Sequence, residues 1–414
     1  MRSPTTSSMP VTVALIDWNW MGHHPMYFTH FAVALAKAGA EVVPFCPEPE
    51  DFTERVELLV TDRGVRSRIA NPNHVAGPVA SRFRPARWRH QVDAVRFFAA
   101  LGRQLHARER TLGRPIDLVF FACIYDRQFE HFRLAQRWFR YPWAGLYLHA
   151  RSFRLPGSPI PYSGGLPCPE KIFTSPTLHS VAVLDEAAVA PLKRLTGGRP
   201  VYPFPDLTHA DLPSDREEVG LCAKIKHFAA GRPIVSLTGH LQWTKGLDVF
   251  TDAASDPRMR DVFFFLGGEV NWHEVPDSEK RTLQIRWEMT PNLYAHLQHL
   301  PEKTMNAVIA GSDVVVACYR SFPNSSNILT KAAVFERPIV VSDGYLMAER
   351  VRRYNLGEII PEGNADSLVR ALQRMLQPNY YPSLRESARW LEYREAHSAK
   401  RLAEAFSAML SDVV

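Results

Sequence analysis

Short apolar runs alternate along the chain with longer segments in which apolar residues recur at helical spacing. Such runs, bounded by turn residues, are typical of buried parallel strands, and the amphipathic segments between them are typical of crossover helices. The predicted strands are 12–17, 41–46, 116–124, 144–149 and 181–184 in the first half, and 233–238, 262–266, 313–317 and 339–341 in the second. We therefore predict an α/β protein with two doubly wound, Rossmann-like parallel sheets that face each other across a cleft.

The helical segments follow the strands in the order that a doubly wound sheet requires. The first carries Phe28, Phe31 and Leu35 on one face and ends at Gly39. The others are predicted at 52–60, 88–110, 128–139, 247–254, 305–311, 328–335, 368–376 and 402–410.

The remaining segments set the predicted domain boundaries. Residues 63–87 are predicted to be irregular, and the proline-rich stretch 201–213 is predicted to be a linker. The predicted domains are 1–212 and 213–385, and a C-terminal helical segment, 386–414, is expected to pack back on the first domain.

The composition is that of a water-soluble globular protein. Of 414 residues, 46% are hydrophobic and 22% are charged. No apolar run reaches the roughly 20 residues that span a bilayer, and the apolar segment 11–16 is too short for the core of a signal peptide. The five cysteines have no tight spacing, so we interpret them as reduced core thiols rather than a disulfide framework or a zinc site. We expect a cytoplasmic protein.

The positive charge lies in the first half of the chain. Residues 1–214 contain 25 Lys and Arg against 18 Asp and Glu, a net charge of +7, whereas the remainder contains 24 against 25, a net charge of −1. The excess is concentrated in Arg82, Arg84, Arg87, Arg89, Arg96, Arg103, Arg108 and Arg110. This indicates either an anionic partner, such as the inner membrane surface or a phosphorylated acceptor, or a solvated helix face. Nucleic acid is the least supported partner, because no binding motif surrounds the cluster.

The stretch 320–343 reads as a loop, a helix and a buried strand, directly after another strand. Three good N-cap residues, Ser325, Ser326 and Asn327, precede the helix. A helix start in this position presents free backbone N–H groups to a phosphate or a carboxylate. The alternative is an ordinary crossover helix whose cap residues serve only that helix.

The segment 236–246 is more specific. A strand ends at Gly239, and Lys245 stands beside Gly246 where the next helix opens. A lysine there can add a point charge to the helix start and bind a diphosphate. A merely solvated lysine is electrostatically unfavourable at a helix N-terminus, which makes Lys245 the strongest candidate residue.

The loop after the first strand contains Gly22, His23 and His24 and lacks the GxGxxG pattern of dinucleotide sites. The backbone at Gly22 can approach a ligand closely. The two histidines are candidate contacts to an acceptor or a phosphate, and a capping role for one of them is equally open.

Together these features resemble the GT-B glycosyltransferases, and within them the retaining glycosyltransferase family four. The resemblance is carried by GRPIVSLTGHLQWTKGLDVF (231–250), FFFLGGE (263–269), LPEKTMNAVIAGSDVVVA (300–317), SSNILTKAAVFERPIVVSDG (325–344) and NLGEIIPEGNADSLVRAL (355–372). It covers most of the second half and is weaker over the first 45 or so residues, and little of it is recognisable in 60–215.

The resemblance implies that the second domain binds a nucleotide diphosphate-sugar, with a UDP or GDP moiety, and that the first domain binds the acceptor. Lys245 matches the family's phosphate-stabilising lysine, and His240 stands where an arginine is usual. His149 lies where such enzymes place a histidine near the reacting sugar, and these three residues are the catalytic candidates. The donor-binding candidates are Gly22, Gly239, Gly267, Gly268, Glu269, Ser325, Ser326 and Asn327.

One departure from the family pattern affects the donor site. The family has two glutamates eight positions apart, and here those positions hold Pro323 and Lys331. Each lost charged hydrogen bond of this kind is worth about 1.5–3 kcal/mol. We interpret Lys331 itself as a solvated helix residue.

The resemblance implies transfer of a sugar to an acceptor hydroxyl, with retention at the anomeric carbon and without a metal or other cofactor. The chain contains no Asp-x-Asp motif. The acceptor is expected to be a glycan, a lipid-linked or a small molecule, with peripheral binding to anionic membrane as an additional expectation. Two alternatives stay open: a nucleotide-sugar epimerase, and a non-catalytic GT-B-like subunit or carbohydrate-binding partner, which the missing glutamates favour.

Overall fold

The structure, a computed structural model, describes residues 9–78, 88–124, 129, 131–148, 169–214 and 216–413. The chain divides into two compact units, residues 1–205 with 398–414, and residues 206–397. The second unit begins inside the proline-rich stretch, and the chain returns to the first unit at Ser398. Each unit contains its own parallel sheet, so the predicted α/β class with two doubly wound sheets is confirmed.

The sheet of the first unit has the order β3-β2-β1-β4-β5-β6-β7, and all its pairs are parallel. The apolar runs form the central strands, which are buried throughout because helices cover both faces of such a sheet. The strands are β1 (Thr12–Ile16), β2 (Glu41–Cys46), β3 (Asn73–His74), β4 (Leu118–Phe121), β5 (Trp143–Tyr147), β6 (Leu178–Val183) and β7 (Val201–Pro203).

The helices of this unit connect consecutive strands. They are α1 (His24–Lys37), α2 (Pro49–Leu59), α3 (Arg63–Ser67), α4 (Arg89–Leu112), α5 (Phe132–Ala135) and α6 (Val189–Leu195), with single 3-10 turns at Pro169–Thr174 and Glu186–Ala188. Within the described part of the predicted helix 128–139, Phe129 and α5 are helical, and the Phe139 N–H donates to the Ala135 carbonyl, 3.1 Å away.

The change from the first unit to the second lies inside the predicted linker 201–213, but this stretch and the segment predicted to be irregular both contain short regular elements. The predicted linker starts with β7, which pairs with β6 as an edge strand, where its terminal Pro203 is tolerated. The segment predicted to be irregular contains α3 and β3, whereas residues 79–87 lie outside the described residues. α3 is specified by its cap, since the Asp62 carboxylate accepts from the Gly64 N–H at 2.7 Å. Neither element has an apolar pattern that could have predicted it.

The sheet of the second unit has the order β10-β9-β8-β11-β12-β13, again entirely parallel. Its strands are β8 (Ile234–Thr238), β9 (Phe263–Gly267), β10 (Leu293–His296), β11 (Val314–Ala317), β12 (Ile339–Ser342) and β13 (Gly357–Ile360). The sequence did not predict the two edge strands, β10 and β13, because their residues are mostly half-buried and their apolar pattern is weak.

Nine helices are described in this unit. They are α7 (Arg216–Ala229), α8 (Leu247–Ala254), α9 (Asp277–Met289), α10 (Glu302–Gly311), α11 (Asn327–Val334), α12 (Leu346–Tyr354), α13 (Ala365–Met375), α14 (Tyr380–Ser387) and α15 (Trp390–Ala396), with 3-10 turns at Trp243–Lys245 and Pro257–Met259.

The last helix, α16 (Ala399–Ser411), belongs to the first unit, where it packs on α1. Phe406 is fully buried, with its ring centroid 5.7 Å from that of Phe31, 5.1 Å from Phe120 and 4.9 Å from Phe204. The end of the chain therefore completes the core of the unit that contains its beginning. Among the described residues, no helix is both long and apolar enough to cross a lipid bilayer.

Candidate functional site

The strand order of the second unit reverses between β8 and β11. In an open parallel sheet, ligands bind at the carboxyl ends of the strands at such a reversal, because the loops there turn to opposite faces and leave a crevice. The loop after β8 contains Gly239, His240 and Lys245, and the loop after β11 leads to Ser326 at the start of α11. The topology thus brings two separate candidate segments to one place.

A close backbone contact shapes the first of these loops. Gly268 has φ +140°, and a Cβ atom there would lie 1.8 Å from the Gly239 carbonyl oxygen, so only glycine fits. The Gly239 N–H donates to the Gly267 carbonyl at 3.0 Å, and the Gly268 N–H donates to the His296 carbonyl at 2.9 Å. The glycines predicted from the sequence therefore lie together, and their backbones are in contact.

Lys245 ends a single 3-10 turn that is held against β11. The next residue, Gly246, has φ +73°, and a Cβ atom there would lie 2.4 Å from the Cys318 carbonyl oxygen. The Arg320 N–H also donates to the Thr244 carbonyl at 2.7 Å. These backbone contacts determine where the lysine side chain starts.

The Lys245 ammonium is half-buried and lies 5.4 Å from the centre of the Tyr319 ring. It also lies beside Gly239, since a Cβ built there would be 3.1 Å from Nζ. Within the described residues, no carboxylate or hydrogen-bond acceptor contacts it. Partial burial of a cation without an anion is unfavourable, and an aromatic face compensates part of that cost.

The start of α11 lies close to this cation. Ser326 is the N-cap residue, with extended backbone at φ −134°, and its hydroxyl does not cap the helix. Its Oγ lies 3.4 Å from the Tyr319 hydroxyl, and the side chain of Ile328 lies beside Gly239. In the part of the chain that the structure describes, the N–H groups of Ser326 and Asn327 have no acceptor.

The other two residues predicted at this helix start use their side chains differently. Ser325 donates to the Asp206 carboxylate and accepts from Arg350 Nη1 at 2.7 Å. Asn327 donates to the Leu207 carbonyl at 3.1 Å and accepts from the Thr208 hydroxyl at 2.6 Å. These side chains bind the segment 206–211, so only backbone groups remain for a ligand at these two positions.

The interpretation of Lys331 as a solvated residue was wrong, because its side chain is 1% exposed. Its Nζ donates to Glu302 at 2.9 Å, to Asn306 Oδ1 at 2.7 Å and to the His209 carbonyl at 3.2 Å. Burial lowers the pKa of Lys331, and the Glu302 carboxylate partly opposes that shift. Helical periodicity would have placed Lys331 on the inner side of α11, but only the tertiary structure supplies its three acceptors.

The remaining candidates of this unit have different surroundings. The side chains of His240 and Glu269 are exposed, and the Glu269 carbonyl accepts from the Leu241 N–H at 2.8 Å. Gly267 is buried, and a Cβ atom there would lie 2.4 Å from the Phe265 ring. Gly267 thus has a packing role.

Sequence reasoning missed three polar residues at this end of the sheet. Tyr319 follows β11 and contacts both Lys245 and Ser326. Thr238 Oγ1, at the end of β8, and Asn324 Nδ2, in the loop before α11, are buried without a hydrogen-bond partner among the described residues. The sequence could have indicated these residues by their position, because each lies at or after the carboxyl end of a predicted strand, where ligands bind.

In the first unit, the loop after β1 contains a buried histidine with two partners. His24 Nδ1 lies 2.7 Å from the Asp17 carboxylate, and its Nε2 lies 3.0 Å from Asn19 Nδ2. His23 is exposed and stacks on His24 with ring centroids 5.0 Å apart. Gly22 has φ +60° and open space around its Cα. His24 therefore orients the loop, while His23 and Gly22 are accessible.

His149, the third catalytic candidate, lies outside the described residues. Within the described residues, no group of three or more His, Cys, Asp or Glu side chains could hold a metal ion.

Residues 232–378 match the family model described as glycosyl transferases group 1. This matched segment contains both loops and the start of α11. Among curated proteins, none matches the chain.

Three solved structures resemble nearly the whole chain, both the segment that matches the group 1 model and the first unit. HepE (Alr3699) of Anabaena, in complex with UDP and glucose, is 11% identical with a TM-score of 0.67, covering 97% of this chain and 99% of its own. Sucrose-phosphate synthase of Thermosynechococcus elongatus is 17% identical with a TM-score of 0.65. The match covers 95% of this chain and 96% of the synthase chain. WaaG, a glycosyltransferase involved in lipopolysaccharide biosynthesis, is 13% identical with a TM-score of 0.61. The match covers 97% of this chain and 100% of the WaaG chain. These likenesses show that the chain has the GT-B fold, and the predicted resemblance is confirmed.

Proposed function

We propose that this protein is a glycosyltransferase that moves a sugar from a nucleotide diphosphate-sugar to an acceptor hydroxyl. The second unit would bind the donor and the first unit the acceptor. The proposal rests on the group 1 domain match and on the site after β8 and β11. Structures of the same fold hold UDP, UDP-glucose or UDP-2-fluoro glucose.

The Lys245 ammonium, half-buried with no anionic partner in the described part of the chain, is the observation that carries the proposal. A diphosphate beside it would supply the missing negative charge. The free N–H groups of Ser326 and Asn327 would bind phosphate oxygens, and the contact between Gly239 and Gly268 would let the donor approach the backbone. Such groups stabilise the charge that develops on the leaving phosphate.

We further propose that transfer proceeds with retention and without a metal ion. The described site offers a lysine and backbone amides for the leaving group, and the chain has no Asp-x-Asp motif. The two family glutamates are replaced by Pro323 and by Lys331, which is engaged inside the unit. Front-face transfer, in which the leaving phosphate assists the acceptor, needs no nucleophilic carboxylate. His240, His149, Gly22 and Glu269 retain their predicted roles as candidates.

Titration calorimetry with UDP and with GDP tests donor binding. We expect one of the two nucleotides to bind the native protein. Lys245→Met should weaken that binding about 10- to 100-fold, because it removes one charge-assisted hydrogen bond to the diphosphate. Lys303→Met, which changes an exposed lysine of the same unit, serves as the matched control and should leave binding unchanged. Equal binding by native protein and Lys245→Met would overturn the proposed site.

Turnover needs a separate experiment. The protein is incubated with single nucleotide-sugars and a mixture of acceptors, and release of free nucleotide diphosphate is measured with and without a chelator. We expect release that is insensitive to the chelator, and a product whose anomeric configuration, read by NMR, matches that of the donor. Inversion or chelator sensitivity would reject the corresponding part of the proposal.

A non-catalytic GT-B-like subunit is the second candidate, and the buried Lys331 is the observation that favours it. A cation bonded to Glu302 and Asn306 cannot accept hydrogen bonds from ribose hydroxyls. Nucleotide binding without release of nucleotide diphosphate or formation of an epimer would support this candidate.

A further inference from the structure

The segment 131–140 of the first unit presents an amphipathic surface whose inner side is well anchored. Phe132, Ala135 and Phe139 are fully buried, and the Phe132 ring lies 4.6 Å from that of Phe98 on α4. Gln136 donates to the Ser175 hydroxyl. The spacing of the buried residues is helical, so the residues between them face outward together.

The outward residues combine large apolar side chains with arginines. Leu134 is 51% exposed and Trp138 is 52% exposed. Arg133, Arg137 and Arg140 are also exposed, and no acidic residue of the described chain pairs with them. We call these five residues the Arg/Trp face.

α4 extends the positive charge beside this face. Gly102 approaches Trp138 so closely that a Cβ atom there would lie 2.6 Å from the Trp138 carbonyl oxygen. The next residue on α4, Arg103, is exposed. The face therefore lies in the half of the chain that carries the whole positive charge excess.

Single exposed apolar side chains are normal, but adjacent ones rimmed by polar residues mark a protein or membrane interaction site. Leu134 and Trp138 are one helical turn apart and are rimmed by three arginines. Tryptophan favours the interface between lipid headgroups and acyl chains, where its ring is buried and its N–H remains hydrated. Arginines around it are attracted to anionic lipids, and together the two effects hold amphipathic surfaces on membranes. An acidic protein would match the positive charge of the arginines. A lipid interface explains more, because it also accounts for the exposed tryptophan among them.

We propose that the Arg/Trp face docks the protein on an anionic phospholipid bilayer. Trp138 and Leu134 would enter the interfacial layer, while Arg133, Arg137 and Arg140 would contact lipid phosphates. This inference goes beyond the proposed sugar transfer and does not depend on it, since the face lies in the first unit and nucleotide binding is assigned to the second.

Co-sedimentation of the full chain with vesicles tests the proposal. The vesicles are phosphatidylcholine alone, or an equal mixture of phosphatidylcholine and phosphatidylglycerol. We expect binding to the mixed vesicles only, and release by added salt, because salt screens exposed charges. Neutralising Arg133, Arg137 and Arg140 to glutamine should weaken binding about fivefold per arginine. Trp138→Ser should weaken it about tenfold.

α9 provides the matched controls. It also exposes apolar side chains, Ile285 and Met289, and a basic residue, Arg281, but acidic residues accompany them. Arg281→Gln and Met289→Ser should leave vesicle binding unchanged. All variants are checked for native melting temperature and for unchanged UDP or GDP binding, so that failure of this proposal is distinct from failure of the donor site.

Insertion is measured independently with vesicles whose acyl chains carry bromine, which quenches tryptophan fluorescence. The native protein should be quenched and Trp138→Phe should lose most of that quenching while still binding. Equal sedimentation with both vesicle types, or unchanged binding by both the Arg triple variant and Trp138→Ser, would overturn the proposal. Binding to a DNA duplex without any preference for anionic vesicles would overturn it in favour of a nucleic-acid partner.

Discussion

At the scale of single residues, the chemistry of this protein depends on which polar groups find partners inside the chain. Lys245 lies near the start of α11 and Lys331 in its last turn, yet the first has no acceptor among the described residues and the second has three. The first is therefore a candidate ligand contact, and the second holds the unit together.

We expect Lys331→Met to lower the free energy of unfolding by about 2–3 kcal/mol, because it leaves the Asn306 and His209 oxygens without their donor. Lys331→Glu, which restores the carboxylate of the family pattern, should destabilise more, since it places a negative charge against Glu302 and two oxygen acceptors. Urea unfolding measures both, with the exposed Lys303→Met as control. A neutral or stabilising Lys331→Glu would contradict the structure.

Gly268→Ala should destabilise more strongly than Gly344→Ala. Both glycines have positive φ, but a Cβ atom at 268 would meet the Gly239 carbonyl, whereas nothing lies within 4 Å at 344. Gly344→Ala should cost about 1 kcal/mol of backbone strain, and Gly268→Ala should add about 1–3 kcal/mol for the clash. Equal costs in urea unfolding would show that the close approach of the two backbones is absent.

His397 gives the second unit a pH-dependent stability. Its Nδ1 accepts from the Asp206 N–H at 3.0 Å, which requires the neutral ring, and burial with nearby Arg350 and Arg353 lowers the pKa of His397 well below 6.5. In the unfolded chain the imidazole binds a proton near its ordinary pKa, so in the window below 6.5 the unfolded state binds more protons.

We therefore expect the free energy of unfolding to decrease as the pH falls below 6.5, and to decrease less in His397→Asn, whose carbonyl accepts the same hydrogen bond without titrating. Urea unfolding on both sides of pH 6.5 gives the comparison. Parallel pH profiles for the two proteins would assign the acid sensitivity to other groups.

At the scale of elements, α16 shows how a terminal helix stabilises a distant strand. Phe406 contacts the rings of Phe31, Phe120 and Phe204 and is fully buried. Phe406→Ala should lower the free energy of unfolding of the first unit by about 3–5 kcal/mol. Lys400→Ala on the exposed side of the same helix should change it by less than about 0.5 kcal/mol, measured by thermal unfolding.

At the scale of the whole molecule, the two units contain separate cores. Hydrogen exchange read by mass spectrometry should therefore separate the effects of two variants. Phe406→Ala should speed exchange in β1 and β4, and Lys331→Met should speed it in α10 and α11. If either variant accelerated hydrogen exchange equally in the elements of both units, the two units would unfold as one.

The sequence alone determined the α/β class, the central strands and about half of the helices, because apolar runs and caps act within a few residues of each other. It did not predict α7, α9, α12, α14 or α15. It also offered Lys245, Gly239, Gly268 and Ser326 as site candidates, since a site at strand ends leaves local signals of glycine, charge and N-cap residues. It did not predict β10, β13 or β7, because edge strands owe their structure to a neighbour rather than to their own apolar pattern.

Only the tertiary structure decided which polar side chains have hydrogen-bond partners inside the protein. Whether Lys331, Ser325 and Asn327 face a ligand or other parts of the unit depends on residues 29 to 122 positions away in the chain. The contact of Tyr319 with Lys245 likewise arises from two strands that are adjacent only in the folded sheet. Local pattern specifies an element, but the partner of a polar group is set by packing between elements, and that is where the candidate chemistry of this protein resides.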